Sequence, residues 1–299
     1  MPRLGRWMNV MRTWNDTMDL SAIAGLPLRL DRQRGILLAK GGLSLPTPSR
    51  RTLGDLAAVL ADPAIARAEP DRVCYLLYRD VHLDSDGNRF RDHGLRYDIT
   101  VLLPGRYGAE HAKTAGHFHS TSASGVPFPE VYEILHGQAA IILQWSISAT
   151  PEMACLVQIA VCAAGDRLII PPGAGHLTVN LGNEPLVMSN LVARASKNDY
   201  APFAGARGAA VYLLAGSTAP LDFRVAPNPR HSPPATVRIS SGSRWPAVWP
   251  EGPLYDSFCT QPGAFRPLID PAADMVSLFA PWESDVGITT ASAGSQDGS

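Results

Sequence analysis

GDRLIIPPGAGHLTVN, residues 165–180, is the stretch on which the fold turns. A short apolar run, Leu168-Ile169-Ile170, stops at Pro171-Pro172-Gly173, and a second run opens on His176. That is the texture of two strands joined by a tight turn, with an imidazole at the head of the second. Upstream, GHFH at 116–119 and PEVYEILHG at 129–137 add further candidate ligands. Residues i and i+2 of a strand share a face, so His117 and His119 project together. Glu130 opens the next strand, while Glu133 has the opposite parity to Glu130 and Tyr132 and should face away. An HxH pair alone is a weak sign of a metal. Three imidazoles and one carboxylate together, His117, His119, His176 and Glu130, make a mixed nitrogen and oxygen set suited to Fe(II), Mn(II), Zn(II) or Ni(II). Four protein donors leave one or two positions of a six-coordinate ion for a substrate.

The same texture runs outward in both directions. VCYLLYRDVHL, LRYDITVLLPG, EVYEILHG, AAIILQW, ACLVQIAVC, DRLIIPPG and PLVMSNLVA are short strand-like runs between Arg72 and about Leu214, broken by Gly, Pro, Asn and Asp. Such a succession argues for an all-β sandwich or barrel. Before it, TLGDLAAVLADP predicts a helix, with Thr52 as N-cap, Asp55 completing a capping box and Pro63 as the stop. Residues 1–27 show no period and read as an N-terminal arm. Residues 216–249, rich in Pro, Ser and Arg, read as a surface strap, and GPLYDSFCTQPGAF as helical at its centre. The expected organisation is therefore a barrel domain at 28–215 with its helix, a C-terminal extension at 216–282 packed on it, and a disordered tail at 283–299.

Of the 299 residues, 45% are hydrophobic and 18% charged, and the formal net charge is -1. A sizeable core is affordable, and no basic stripe marks a nucleic acid or an anionic membrane as partner. No apolar stretch approaches the roughly 20 residues of a membrane span. Cys74, Cys155, Cys162 and Cys259 form no CxxC pair, which suits reduced core thiols and a cytoplasmic location. No signal peptide is read at the N-terminus.

These motifs resemble those of the cupins, double-stranded β-helix (jelly-roll) barrels. Gly165, Pro171, Gly173, His176 and Asn180 match every fixed position of the second cupin motif, G-x5-P-x-G-x2-H-x3-N, and Glu130 followed by Gly137 matches the end of the first. His111 stands where a glycine is usual. Ten residues, STSASGVPFP, separate His119 from Glu130, and this insert is expected to loop out over the metal. RTLGDLAAVLADPAIA, YRDV, KTAGHFHS, PFPEVYEILHGQA, PPGAGHLTVNLGNEPLV and PLYDSF further resemble the cupin-type glucose-6-phosphate isomerases of archaea and some bacteria, over roughly residues 28–272.

That resemblance implies a homodimer with one divalent metal per chain, iron in many members, interconverting an aldose phosphate and a ketose phosphate in glycolysis and gluconeogenesis. By motif position it puts the metal on His117, His119, Glu130 and His176. Catalysis falls to Glu130 and Tyr132, and sugar or phosphate contacts to Thr100, Thr114, Gly116, Tyr132, Tyr78 and Tyr200. The substrate expected is glucose 6-phosphate, exchanged with fructose 6-phosphate. One segment departs from the family: in NLVARASKNDYAPF, Val192 replaces a tyrosine and Asn198 a histidine, while Asp199 and Tyr200 keep their places. Losing an imidazole removes a group suited to proton transfer at neutral pH, so Tyr200 or Lys197 must substitute or the substrate must differ. The alternatives are another metal-dependent cupin enzyme, a dioxygenase or an isomerase of a different or unphosphorylated sugar, and then a non-catalytic sugar-binding cupin.

Overall fold

The apolar runs of the sequence supply the strands of two facing sheets, with smaller sheets beside them, in the computed structural model, which describes residues 17–146, 155–216, 223–231, 236–242, 245–246 and 249–271. Residues 1–16 of the arm and the tail at 283–299 lie outside the described residues. One sheet has six strands in the order Arg167–Ile170, Glu130–His136, Leu186–Ala193, Leu95–Leu102, Val73–Tyr78 and Ser49–Thr52, all neighbours antiparallel. The other has four, ordered Gly175–Asn180, Gln138–Ser146, Cys155–Ala163 and Thr236–Ser241. This is the all-β cupin barrel expected, with short helical segments at its margins.

Parity sorts the side chains. Tyr132, Ile134, Leu168 and Met188 point inward and share one apolar cluster with Ile141, Ile159 and Leu177 of the opposite sheet. Val131, Leu135, Tyr97 and Ile99 point outward into a second cluster with Leu28, Leu30, Phe258 and Phe265. The six-stranded sheet is therefore covered on both faces, and all eight residues of Leu186–Ala193 are buried. That explains why LVMSNLVA reads as a nearly continuous apolar run rather than an alternating one. Each large side chain so buried contributes on the order of 1.5–3 kcal/mol.

Three boundaries differ from expectation. Residues 17–27 are not a loose arm: Thr17–Asp19 pairs with Leu28–Asp31, and Leu20, Ala24 and Leu26 are buried in the outer cluster. The pieces are too short to show a period. The helix at Thr52 has its capping box, with Asp55 accepting the Thr52 N–H at 2.8 Å, but it is interrupted. Leu53–Leu56 tightens into a 3₁₀ turn and ends at Leu60, which turns extended and is fully buried. Pro63 then precedes a second helix, Ala64–Ala68. The strap, too, contributes strands: Phe223–Pro227 pairs with Val211–Ala215, and Thr236–Ser241 extends the four-stranded sheet in parallel beside Cys155–Ala163. The helix Leu254–Thr260 lies in the stretch expected to be helical. No helix of the described residues is long and apolar enough to cross a membrane.

Candidate metal centre

His117 and His176 face each other across a bridge in which each backbone N–H donates to the other's carbonyl, at 3.0 and 2.9 Å. His119 lies two residues on, in a short strand, Phe118–His119, paired with Asn198–Asp199. Glu130 starts its strand opposite Val192. Four elements thus bring one donor atom each from His117, His119, Glu130 and His176 to within 4.8 Å of one another. The glycine before His117 is required where it stands. Gly116 has φ +77°, and a Cβ there would meet Leu177 and Phe203 at 3.0 Å.

The hydrogen bonds around the cluster leave its donors pointing at a common centre. His119 Nδ1 bonds the Phe128 carbonyl at 2.9 Å and His176 Nδ1 the Ala174 carbonyl at 3.2 Å. A carbonyl only accepts, so Nδ1 carries the proton in both rings and each neutral Nε2 presents a lone pair. His119 Nε2 and His117 Nε2 are 3.2 Å apart. Asn190 Nδ2 donates to Glu130 Oε1, so Oε2 is left 3.4 Å from His119 Nε2 and 3.3 Å from His176 Nε2. Glu130 Oε2 and His176 Nε2 are buried without any hydrogen-bond partner. Lone pairs that converge in this way repel unless a cation lies among them, so the donor set fits a divalent metal.

The four groups also shift one another's protonation equilibria. Burial, then the neighbouring His176 and His119, hold His117 well below the usual histidine range, and burial also lowers His176. Burial pushes His119 down, but the Glu130 carboxylate beside it outweighs burial and raises the ring. Burial would raise Glu130, yet the two imidazoles hold it below the carboxylate range. Burial and the Glu130 charge push Tyr132 far above the usual phenol range, so its hydroxyl stays protonated.

A cavity opens beside the tetrad. Thr100, Thr114, Gly116, Tyr132 and Tyr200 all line it, as do Val192 and Asn198. Thr114 Oγ1 accepts the Thr178 N–H at 3.0 Å, and the Tyr200 hydroxyl accepts from Asn198 Nδ2 at 3.2 Å. Lys197 is not in the lining.

Tyr78 does not reach the cavity. Its hydroxyl accepts the Leu37 N–H at 3.0 Å within the outer cluster. Tyr75, three residues earlier and of opposite parity, lines the cavity instead, with its hydroxyl 3.4 Å from the Ala115 N–H. Glu133 faces away, as parity requires, and accepts the Leu254 N–H. None of the insert residues 120–129 lines the cavity; Phe128 N–H donates to the Ser120 carbonyl and Ser120 N–H to the Lys197 carbonyl. The insert thus braces His119 from outside through Phe128. Sequence reasoning also missed Arg79, Arg96 and Asn190, all in the lining. Once Thr100 is taken as inward, parity alone places Arg96 on the same side.

Residues 50–229 match the family described as glucose-6-phosphate isomerase (GPI). The glucose-6-phosphate isomerase of Thermococcus litoralis is 29% identical over 160 residues, 52% of this chain and 75% of its own. That of Sinorhizobium medicae is 30% identical over 178 residues, covering 59% and 77%. Among solved structures, the oxalate decarboxylase of Lactobacillus farciminis overlaps 40% of this chain and 28% of its own, at 21% identity and a TM-score of 0.29. With more than half of its length matched and a metal tetrad at its centre, this chain belongs to the glucose-6-phosphate isomerase family.

Proposed function

We propose that the protein is a metal-dependent aldose–ketose isomerase acting on a sugar phosphate, glucose 6-phosphate and fructose 6-phosphate being the pair to test first. The observation that carries this reading is the juxtaposition of the four-donor cluster with a cavity lined by hydroxyls. His117, His119, Glu130 and His176 would hold the ion, iron first and Mn, Zn or Ni as alternatives. Once bound, a divalent ion supplies Lewis acidity toward two neighbouring sugar oxygens.

The chain's own residues do the rest. Glu130, in the floor of the cavity, is the group positioned to carry a proton between C1 and C2 of the open-chain sugar. The protonated Tyr132 hydroxyl orients or protonates an oxygen. Thr100, Thr114, the Gly116 N–H and Tyr200 offer neutral contacts to the phosphate and the remaining hydroxyls, and Tyr75 takes the place first given to Tyr78. A homodimer is the assembly to expect.

The test is anaerobic incubation of metal-loaded protein with glucose 6-phosphate and, separately, fructose 6-phosphate. Interconversion supports the reading; its absence for both sugars sinks it. A second reading is another cupin enzyme, a dioxygenase or an isomerase of a different or unphosphorylated sugar. It is favoured by Val192 and Asn198, which line the cavity where a tyrosine and a histidine are usual. Oxygen uptake, or turnover of a neutral sugar, would select it.

A further inference from the structure

One wall of the cavity carries charge that the neutral contacts above leave unused. Arg79, one residue past the strand Val73–Tyr78, and Arg96, in Leu95–Leu102, both line the cavity. Arg79 Nη1 and Arg96 Nε donate to the same oxygen, Asp98 Oδ2, each at 2.9 Å. Asp98 Oδ1 accepts the Asp80 N–H at 2.9 Å, and the Asp80 carboxylate is itself paired with Arg194. Three guanidinium groups therefore meet two carboxylates, and one positive charge is left over.

A purely structural ion pair needs one arginine for Asp98. The second leaves a surplus positive charge in a wall where Asp98 is 2% exposed, the Arg96 side chain 19% and the Arg79 side chain 41%. A surplus cation that faces the cavity attracts an anion from solution. Among the described residues, Arg96 Nη1 and Nη2 have no hydrogen-bond partner. That paired edge is the one that grips a phosphate or carboxylate in bidentate fashion. Asp98 holds both guanidiniums in place and spends its own acceptors doing so.

The register locates this wall. Glu130, Val192 and Arg96 lie side by side on three adjacent strands, so Arg96 stands roughly 10 Å from Glu130 across the sheet. The small Val192 side chain between them leaves the guanidinium open to the cavity. Thr100 is four residues further along the Arg96 strand, roughly 13 Å away.

We propose that Arg79 and Arg96 form an anion-binding wall that recognises a phosphate or carboxylate on the sugar substrate, and that this wall sets the substrate class. The proposal rests on reading the cavity as a sugar site. It is tested by titration calorimetry on the metal-loaded full-length protein, with fructose 6-phosphate, gluconate and fructose as probes. The variants are Arg96→Gln, Arg79→Gln and Arg96→Lys, with Thr114→Val as comparator.

Arg96→Gln should weaken the phosphate or the carboxylate probe about tenfold or more, the worth of a charge-assisted hydrogen bond. Fructose affinity and metal content should stay unchanged, and Arg96→Lys should recover part of the loss. Which anionic probe responds tells phosphate from carboxylate. Asp98 keeps Arg79 as partner in Arg96→Gln, so the wall retains a paired charge and the fold is expected to survive. Anion affinity indifferent to both arginines, sensitive to Thr114→Val alone, would overturn the proposal. So would equal losses for fructose and the anions, or no binding of either anion by the unaltered protein. Isomerase turnover is scored separately: Arg96-dependent anion binding without turnover keeps this inference and removes the isomerase reading, and the opposite pattern does the reverse.

Discussion

Asn190 decides which oxygen of Glu130 faces the three imidazoles. By donating to Oε1 it leaves Oε2 as the single carboxylate donor of the cluster. Groups that orient a ligand in this way typically account for about 10–100-fold in metal affinity. Asn190→Ala should weaken metal binding by that order in a chelator competition, and an unchanged affinity would remove Asn190 from the site's support. Asn198 is the other informative side chain. It pairs in register with His119 and lines the cavity. If glucose 6-phosphate is the substrate, Asn198→His should raise its turnover at least about tenfold, because a missing proton-transfer group typically costs ~10²–10⁴-fold. Metal content should not change. An inert variant with full metal would mean that the substrate differs by more than this one contact. At this scale the sequence was legible where spacing carries chemistry: the four donors could be named from it. It was not legible for Tyr75 against Tyr78, because a strand of apolar and aromatic residues on both faces offers no phase. Nor did it reveal Arg79 and Arg96, since an arginine near a strand end reads as solvated until its neighbours are known.

The strand Glu130–His136 shows how one element serves two sides of a sheet. Its inward parity supplies Glu130 and Tyr132. Its outward parity supplies Glu133, whose carboxylate accepts the first N–H of the helix Leu254–Thr260 and lies beside Arg167. Burial raises the Glu133 pKa from 4.5 to about 7, although the Leu254 N–H and Arg167 oppose the shift. The folded chain then holds a proton that the unfolded chain gives up. Glu133's contribution is therefore fully present below about pH 4.5 and lost as pH rises toward 7. Denaturant titrations should show part of the stability falling across that window, by roughly 3 kcal/mol at most, and Glu133→Gln should flatten it. An identical slope in the variant would assign the pH dependence elsewhere. The turn before His117 gives a second element-level expectation. Gly116→Ala forces a Cβ into a left-handed backbone against Leu177 and Phe203, so stability should fall by about 1–3 kcal/mol. An unchanged melting temperature would show that the turn relaxes freely. Element existence was plain from the apolar runs and the Thr52 capping box. The break at Leu60 and the added strand Thr236–Ser241 were not, because burial of one leucine and pairing with a distant edge are decided by tertiary contacts.

Across the whole molecule, the tetrad stands at the meeting of four separate elements, held by a sheet packed on both faces. None of the four cysteines is bridged, and Cys74, Cys155 and Cys162 are buried. Melting should therefore be the same with and without a reductant, and a large drop on reduction would point to a crosslink. The account stands or falls on whether converging lone pairs mean a bound cation. The decisive measurement is the metal-to-protein ratio of the purified full-length chain, by plasma mass spectrometry, beside that of His176→Ala. The unaltered protein should carry about one divalent ion per chain, and the variant should lose most of it. Full occupancy in His176→Ala, or an unaltered protein that takes up no divalent ion even when one is supplied, would contradict it.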